Sequence, residues 1–162
     1  AVADLLSRLG ISDGERLVAL HVGSPVTAKR WMPTRFARLA DRLADAGYTA
    51  LLVGAIVEEP LIVEVQELAE SQPVGLAGKT TFSQTAALLA RCHGFVGNDS
   101  APKHLAAAVG IPTVGMYFRT DPVRFGARGR HVRLLTARDP RTMEVDDVYA
   151  ALAQLIAEAA SE

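Results

Sequence analysis

Short apolar runs alternating with segments of helical spacing constrain this chain more than any other feature of its sequence. Residues 17–22 (LVALHV), 49–54 (TALLVG), 74–77 (VGLA), 94–97 (GFVG), 112–117 (PTVGMY) and 131–135 (HVRLL) each read as a strand. TALLVG is apolar almost throughout, as expected of a parallel strand covered on both faces. Between the strands, Pro33 opens a helix with Phe36, Leu39, Ala40 and Leu43 on one side, and Gly47 stops it. Leu61, Ile62, Val65, Leu68 and Ala69 mark a second helix, and Phe82, Ala86 and Leu89 a third, with Thr81 or Ser83 near its cap. An Ala-rich helix follows Ser100, and a last one carries Val145, Val148, Tyr149, Leu152, Leu155 and Ile156 on one face. Strand and helix in alternation at this spacing require right-handed crossovers and a parallel sheet with helices on both sides. The predicted fold is α/β: a single Rossmann-like three-layer domain with a parallel sheet of about six strands.

With 162 residues, the chain suffices for one domain with a full core. Residues 1–12 read as a lead-in helix or linker rather than core, with Leu5, Leu6 and Leu9 on one side and Gly10 as the stop. A net charge of −1 gives no polyanion-binding surface, which argues against nucleic acid as a partner. The single cysteine, Cys92, has no internal disulfide partner, as in chains from a reducing compartment, and near a helix end it reads as a buried structural thiol. No apolar run approaches the roughly 20 residues of a membrane span, and AVADLLSRLG lacks the pattern of a signal peptide. The expected location is the cytoplasm.

Ligands of such sheets bind beyond the carboxyl ends of the strands, near the point where strand order reverses. The loops 23–33, 54–59, 78–81, 98–102 and 118–130 should therefore open on one edge. The stretch 94–108, GFVGNDSAPKHLAAA, carries the strongest signal. A strand runs through Asn98-Asp99-Ser100 directly into a helix, whose first amides have no internal partner and sit at the positive end of its dipole. That is an anion site, and Pro102 fits its first turn. Lys103 and His104 would add cationic or hydrogen-bonding groups there. Equally, Asp99 or Ser100 simply caps the helix and His104 is a surface residue.

Other motifs fail on spacing. Gly78-Lys79-Thr80 resembles the end of a P-loop, but Pro73 stands where its first glycine is required. The first loop has Gly23 but no G-x-G-x-x-G, and Gly97-Asn98-Asp99-Ser100-Ala101 lacks the pattern of a nucleophile elbow. No helix pairs His or carboxylates at metal-ligand spacing, so neither a metal nor another cofactor is expected. What remains is a cradle for a phosphorylated ligand: the helix start at Ser100–His104 faced by Lys29 and Arg30, with Trp31 as a packing anchor. Glu58 and Glu59 either accept hydrogen bonds from sugar hydroxyls or serve the dipole of their own helix. Arg119, Asp121 and Arg124 would close over the ligand, although Asp121-Pro122 is also a turn signal.

Four motifs then occur in order: Lys29-Arg30-Trp31-Met32-Pro33; Leu76-Ala77-Gly78-Lys79-Thr80-Thr81; Gly97-Asn98-Asp99-Ser100 with His104-Leu105-Ala106-Ala107-Ala108; and Thr120-Asp121-Pro122. Over about residues 10–135 the chain resembles the C-terminal half of the family 9 glycosyltransferases, the lipopolysaccharide heptosyltransferases. The resemblance implies the donor-binding Rossmann-like domain, residues 1–162, of an inverting, metal-independent transferase. Its partner would be a nucleotide-sugar such as ADP-heptose. The N-terminal domain that holds acceptor and catalytic base lies outside this sequence, so no catalytic residue is expected here. Peripheral association with the inner membrane would come through the acceptor.

Carried over by motif, Lys29 binds the phosphates with Ser24 nearby, and Asp99 holds sugar hydroxyls. Ser100 and Ala101 present backbone amides to the diphosphate, His104 supports that cradle, and Thr80 and Glu58 lie near the adenosine. Ala101 stands where the family usually has glycine, which narrows the approach of phosphate. The rival reading is a nucleotide or nucleotide-sugar binding module without transferase activity. A sugar-phosphate enzyme on the same sheet would need acids and bases within the five loops, where none is well placed.

Overall fold

The computed structural model describes residues 2–24, 30–118 and 131–162. The chain runs α1 (Val2–Arg8), β1 (Arg16–His21), α2 (Pro33–Asp45), β2 (Tyr48–Val53), a 3-10 turn (Ile56–Glu58), α3 (Glu59–Leu68), β3 (Val74–Gly75), α4 (Phe82–Ala90), β4 (Gly94–Asn98), α5 (Ala101–Val109), β5 (Thr113–Phe118), β6 (Val132–Ala137), a second 3-10 turn (Pro140–Thr142) and α6 (Val145–Ala160). The six strands form one parallel sheet in the order β3-β2-β1-β4-β5-β6. The expected Rossmann-like α/β sheet is thus observed, and strand order reverses between β1 and β4.

The period-two alternation of strand side chains divides the core into two layers. On β1, Val18 and Leu20 join the layer that holds Trp31, Phe36, Leu39, Leu52, Val96, Met116 and Leu152. Leu17 and Ala19 face the other layer, with Leu51, Leu88, Leu89, Phe95, Ala106 and Ile111. His21, two residues beyond Ala19, falls on this second face, the side that α5 covers.

Residues 1–12 depart from the lead-in reading. Leu6 is only 3% exposed and packs with Ile11 in the second layer, and the Ile11 amide donates to the Leu6 carbonyl, folding the chain back on α1. The Leu5/Leu6/Leu9 stripe shows an amphipathic helix but not what covers it, and α4 does so. Among the described residues, no helix is long and apolar enough to cross a membrane.

Candidate functional site

A cleft of about 610 Å³ opens at the carboxyl ends of the strands. Ser24 and Arg30 of the first loop, Gly54, Ala55, Val57 and Glu58 of the second, Gly78 and Thr80 of the third and Ser100, Ala101 and Pro102 of the fourth all line it. Four of the five expected loops therefore meet there. The fifth, with Arg119, Thr120, Asp121, Pro122 and Arg124, lies outside the described residues, as does Lys29.

Asn98 draws the two central loops together. Fully buried at the end of β4, it accepts the Trp31 amide at Oδ1 (2.9 Å) and donates from Nδ2 to the Val22 carbonyl (3.1 Å). Trp31 is the anchor expected of it: its indole N–H donates to the Met143 carbonyl (2.9 Å), and its ring meets Phe36 edge-on. The first loop thus leaves β1 and is tied across to β4, directly above the reversal in strand order.

The start of α5 is open. Ser100 holds the cap position in extended conformation, but its side chain makes no capping hydrogen bond. Its hydroxyl instead meets His21 Nδ1 (2.8 Å) and the Asn98 carbonyl (3.1 Å). Asp99 accepts from Lys103 Nζ (2.8 Å). Ser100 therefore does not cap the helix with its side chain. Among the described residues, no side-chain hydrogen bond to the first amides of α5 is seen, and this helix start borders the cleft, an arrangement that suits an anion.

Lys103 also departs from expectation. Rather than adding a cation to the ligand side, it is fully buried, paired with Asp99 and 4.0 Å over the Tyr117 ring. Gly115 makes the space: a Cβ there would lie 2.7 Å from Lys103 Cδ. Neither Asp99 nor His104 is among the residues lining the cleft. His104 is exposed on the first turn of α5, and partial burial together with neighbouring Lys103 holds its imidazole below the usual value despite the opposing charge of Asp99.

At the other end stands Glu58, which lines the cleft. Its carboxylate turns away from α3 to His21 Nε2 (3.0 Å) and accepts the Ala55 amide (2.9 Å). Burial alone would raise its pKa, but the hydrogen bond and charge of His21, the Ala55 amide and Arg30 bring it below the ordinary 4.5. Arg30 donates to the carbonyl of buried Ser24 (3.0 Å). Thr80 shares a hydroxyl hydrogen bond with Thr85 (2.7 Å), while Thr81 caps α4 through Gln84. Exposed Phe82 and Val57 give this end an apolar rim.

Sequence reasoning missed His21, although its signal was present: a polar residue near the end of an otherwise apolar central strand. Cleft, sheet and helix start define a Rossmann-like domain with a cleft at its switch point.

The model of glycosyltransferase family 9 (heptosyltransferase) matches residues 6–151, and the chain belongs to that family. It is 37% identical over 99 residues to lipooligosaccharide heptosyltransferase 2 of Haemophilus influenzae, a match covering 59% of this chain and 29% of that protein. The structure of a family 9 glycosyl transferase from Veillonella parvula superimposes with a TM-score of 0.92 at 26% identity, over 97% of this chain and 51% of that one. The E. coli heptosyltransferase WaaC, solved with ADP-2-deoxy-2-fluoro heptose, superimposes with a TM-score of 0.68 at 25% identity, over 97% of this chain and 47% of that one. The chain thus spans less than a third of that curated relative and about half of these solved structures.

Proposed function

We propose that residues 1–162 bind the nucleotide-sugar donor, ADP-heptose, of an inverting heptosyltransferase that extends the lipopolysaccharide core. The uncapped start of α5, opening into a cleft bordered by Glu58, carries this reading. The diphosphate lies against the amides of Ser100 and Ala101, with Lys29 as a point charge, and Glu58 takes hydroxyls on the nucleoside side near Thr80. Asp99 and His104 act from the sugar side of the same turn. As the glycosidic bond breaks, negative charge collects on the leaving diphosphate, and fixed amides with a lysine stabilise it without a metal. The acceptor, the catalytic base and any contact with the inner membrane belong to a domain outside this sequence. The solved relative's fluorinated ADP-heptose supports the choice of donor.

Calorimetric titration with ADP, UDP and GDP tests it. Selective ADP binding, weakened in Lys29→Ala, is expected; equal binding of all three nucleotides contradicts an adenosine site, and binding of none contradicts the donor role. A binding module without transferase activity would share this outcome and differ only when the chain is joined to an acceptor domain and assayed for transfer.

A further inference from the structure

Two large apolar side chains that line the cleft stand out in solvent: Val57 on the first 3-10 turn, 81% exposed, and Phe82 at the first position of α4, 77% exposed. Together they offer a surface that a flat ring can cover. The loop that delivers Phe82 is fixed at both ends. The Gly78 amide donates to the Gly54 carbonyl (2.9 Å), and Thr81 and Gln84 cap α4 reciprocally, the Gln84 amide to Thr81 Oγ1 (3.2 Å) and the Thr81 amide to Gln84 Oε1 (2.9 Å).

Within this loop a chain of hydroxyl groups has one direction. Thr85 Oγ1 donates to the Thr81 carbonyl (2.9 Å), which only accepts, so the one hydrogen of Thr85 is committed there. In the 2.7 Å contact between Thr80 Oγ1 and Thr85 Oγ1, Thr80 is therefore the donor. Both threonines line the cleft. With its hydrogen held by Thr85, the Thr80 oxygen has only lone pairs to offer, and among the described residues no other hydrogen bond reaches it.

We propose that Thr80 is a specificity-determining residue of the donor site: its oxygen accepts a hydrogen from the exocyclic amino group of the nucleobase, whose ring lies against Phe82. This rests on the nucleotide reading of the cleft. An amino group meets a ready acceptor. An oxo group in its place meets a second acceptor, and is accommodated only when Thr80 gives up its bond to Thr85. The site should thus prefer an amino-purine to its oxo counterpart by about five- to tenfold, the scale of one hydrogen bond.

Three nucleotides test it by titration calorimetry: ADP; IDP, in which an oxo group replaces the amino group of the base; and purine riboside diphosphate, which has a hydrogen there. The wild-type chain should bind ADP more tightly than purine riboside diphosphate by that margin, and IDP no more tightly than the latter. Thr80→Val keeps the shape and leaves Thr85 bonded to the Thr81 carbonyl; ADP should fall to the level of purine riboside diphosphate, whose own affinity stays unchanged. Thr80→Ser retains the hydroxyl and should retain the preference. Phe82→Ala should weaken all three alike, roughly tenfold, because stacking does not read the substituent. Unchanged affinities in Phe82→Ala overturn the stacking. Equal binding of ADP and purine riboside diphosphate by the wild-type chain, a preference that survives in Thr80→Val, or a uniform loss for all three nucleotides in that variant overturns the role of Thr80 and leaves the donor reading intact. Failure of the wild-type chain to bind any of the three overturns both.

Discussion

The ammonium of Lys103 lies 2.8 Å from the carboxylate of Asp99, one turn back at the mouth of α5, and has no exposure to solvent. Removing one partner of a buried pair strands the other's charge. Asp99→Ala is expected to cost about 3 kcal/mol or more in urea denaturation, and Lys103→Met less than half of that, because Asp99 retains some access to water. Equal losses would contradict the asymmetry. Loss of nucleotide binding in Asp99→Ala therefore counts against the site only where the variant is shown to be folded.

Glu58 passes directly over Gly23: a Cβ there would lie 1.3 Å from Glu58 Oε2. Gly23→Ala should push the carboxylate off His21 and weaken ADP binding roughly tenfold, the scale of one hydrogen bond to a charged group. Since the displaced atoms are the end of a flexible side chain, the melting temperature should change little. A large drop in melting temperature with unchanged affinity would contradict this.

Two carboxylates tie folding to pH. Asp41 accepts both amides of Glu70 and Ser71 and the Ser71 hydroxyl, and these bonds outweigh burial and hold it below its ordinary 3.8. Glu58 lies below 4.5, with burial likewise outweighed, chiefly by His21. A carboxyl whose folded pKa is lowered contributes stability above its unfolded pKa and loses it as pH falls through the folded value. Stability should therefore decline from about pH 4.5 downward, and Asp41→Asn and Glu58→Gln should each flatten that decline in acid-range urea denaturation.

Cys92 is 6% exposed, and burial pushes its thiol up to about 12 against a small opposing effect of Arg91. Its Sγ–H donates to the Leu88 carbonyl. Reaction with a disulfide reagent at pH 8 should be blocked in the folded chain and appear with unfolding. Fast labelling without denaturant would contradict the buried assignment.

Leu6→Ala should destabilise by about 2–3 kcal/mol, as for a leucine in a packed core. A loss below about 0.5 kcal/mol, typical of a surface position, would return α1 to the role of a linker.

Alternating periods made the sheet legible: a continuous apolar run such as TALLVG belongs only where helices cover both faces, and the observed strands lie within one or two residues of the expected ones. The start of α5 was equally readable from the strand-turn-helix order. What the sequence could not display was direction. Lys103 and His104 are neighbours on one turn, and only the depth of the sheet beneath, with Gly115 opening a slot, sends the lysine inward and leaves the histidine outside. Ser100 and Glu58 each had a local partner available in their own helix. Both reach across to His21, Glu58 while keeping the Ala55 amide, contacts set by the parallel register that brings β1, β2 and β4 to one edge.

Amide chemical shifts show whether the diphosphate rests on the start of α5. ADP and adenosine are titrated separately into the isotopically labelled chain. ADP should move the amides of Ser100, Ala101 and Lys103 while adenosine leaves them in place, and both ligands should move Gly54 and Thr80. ADP binding that leaves the Ser100, Ala101 and Lys103 amides unmoved would contradict it.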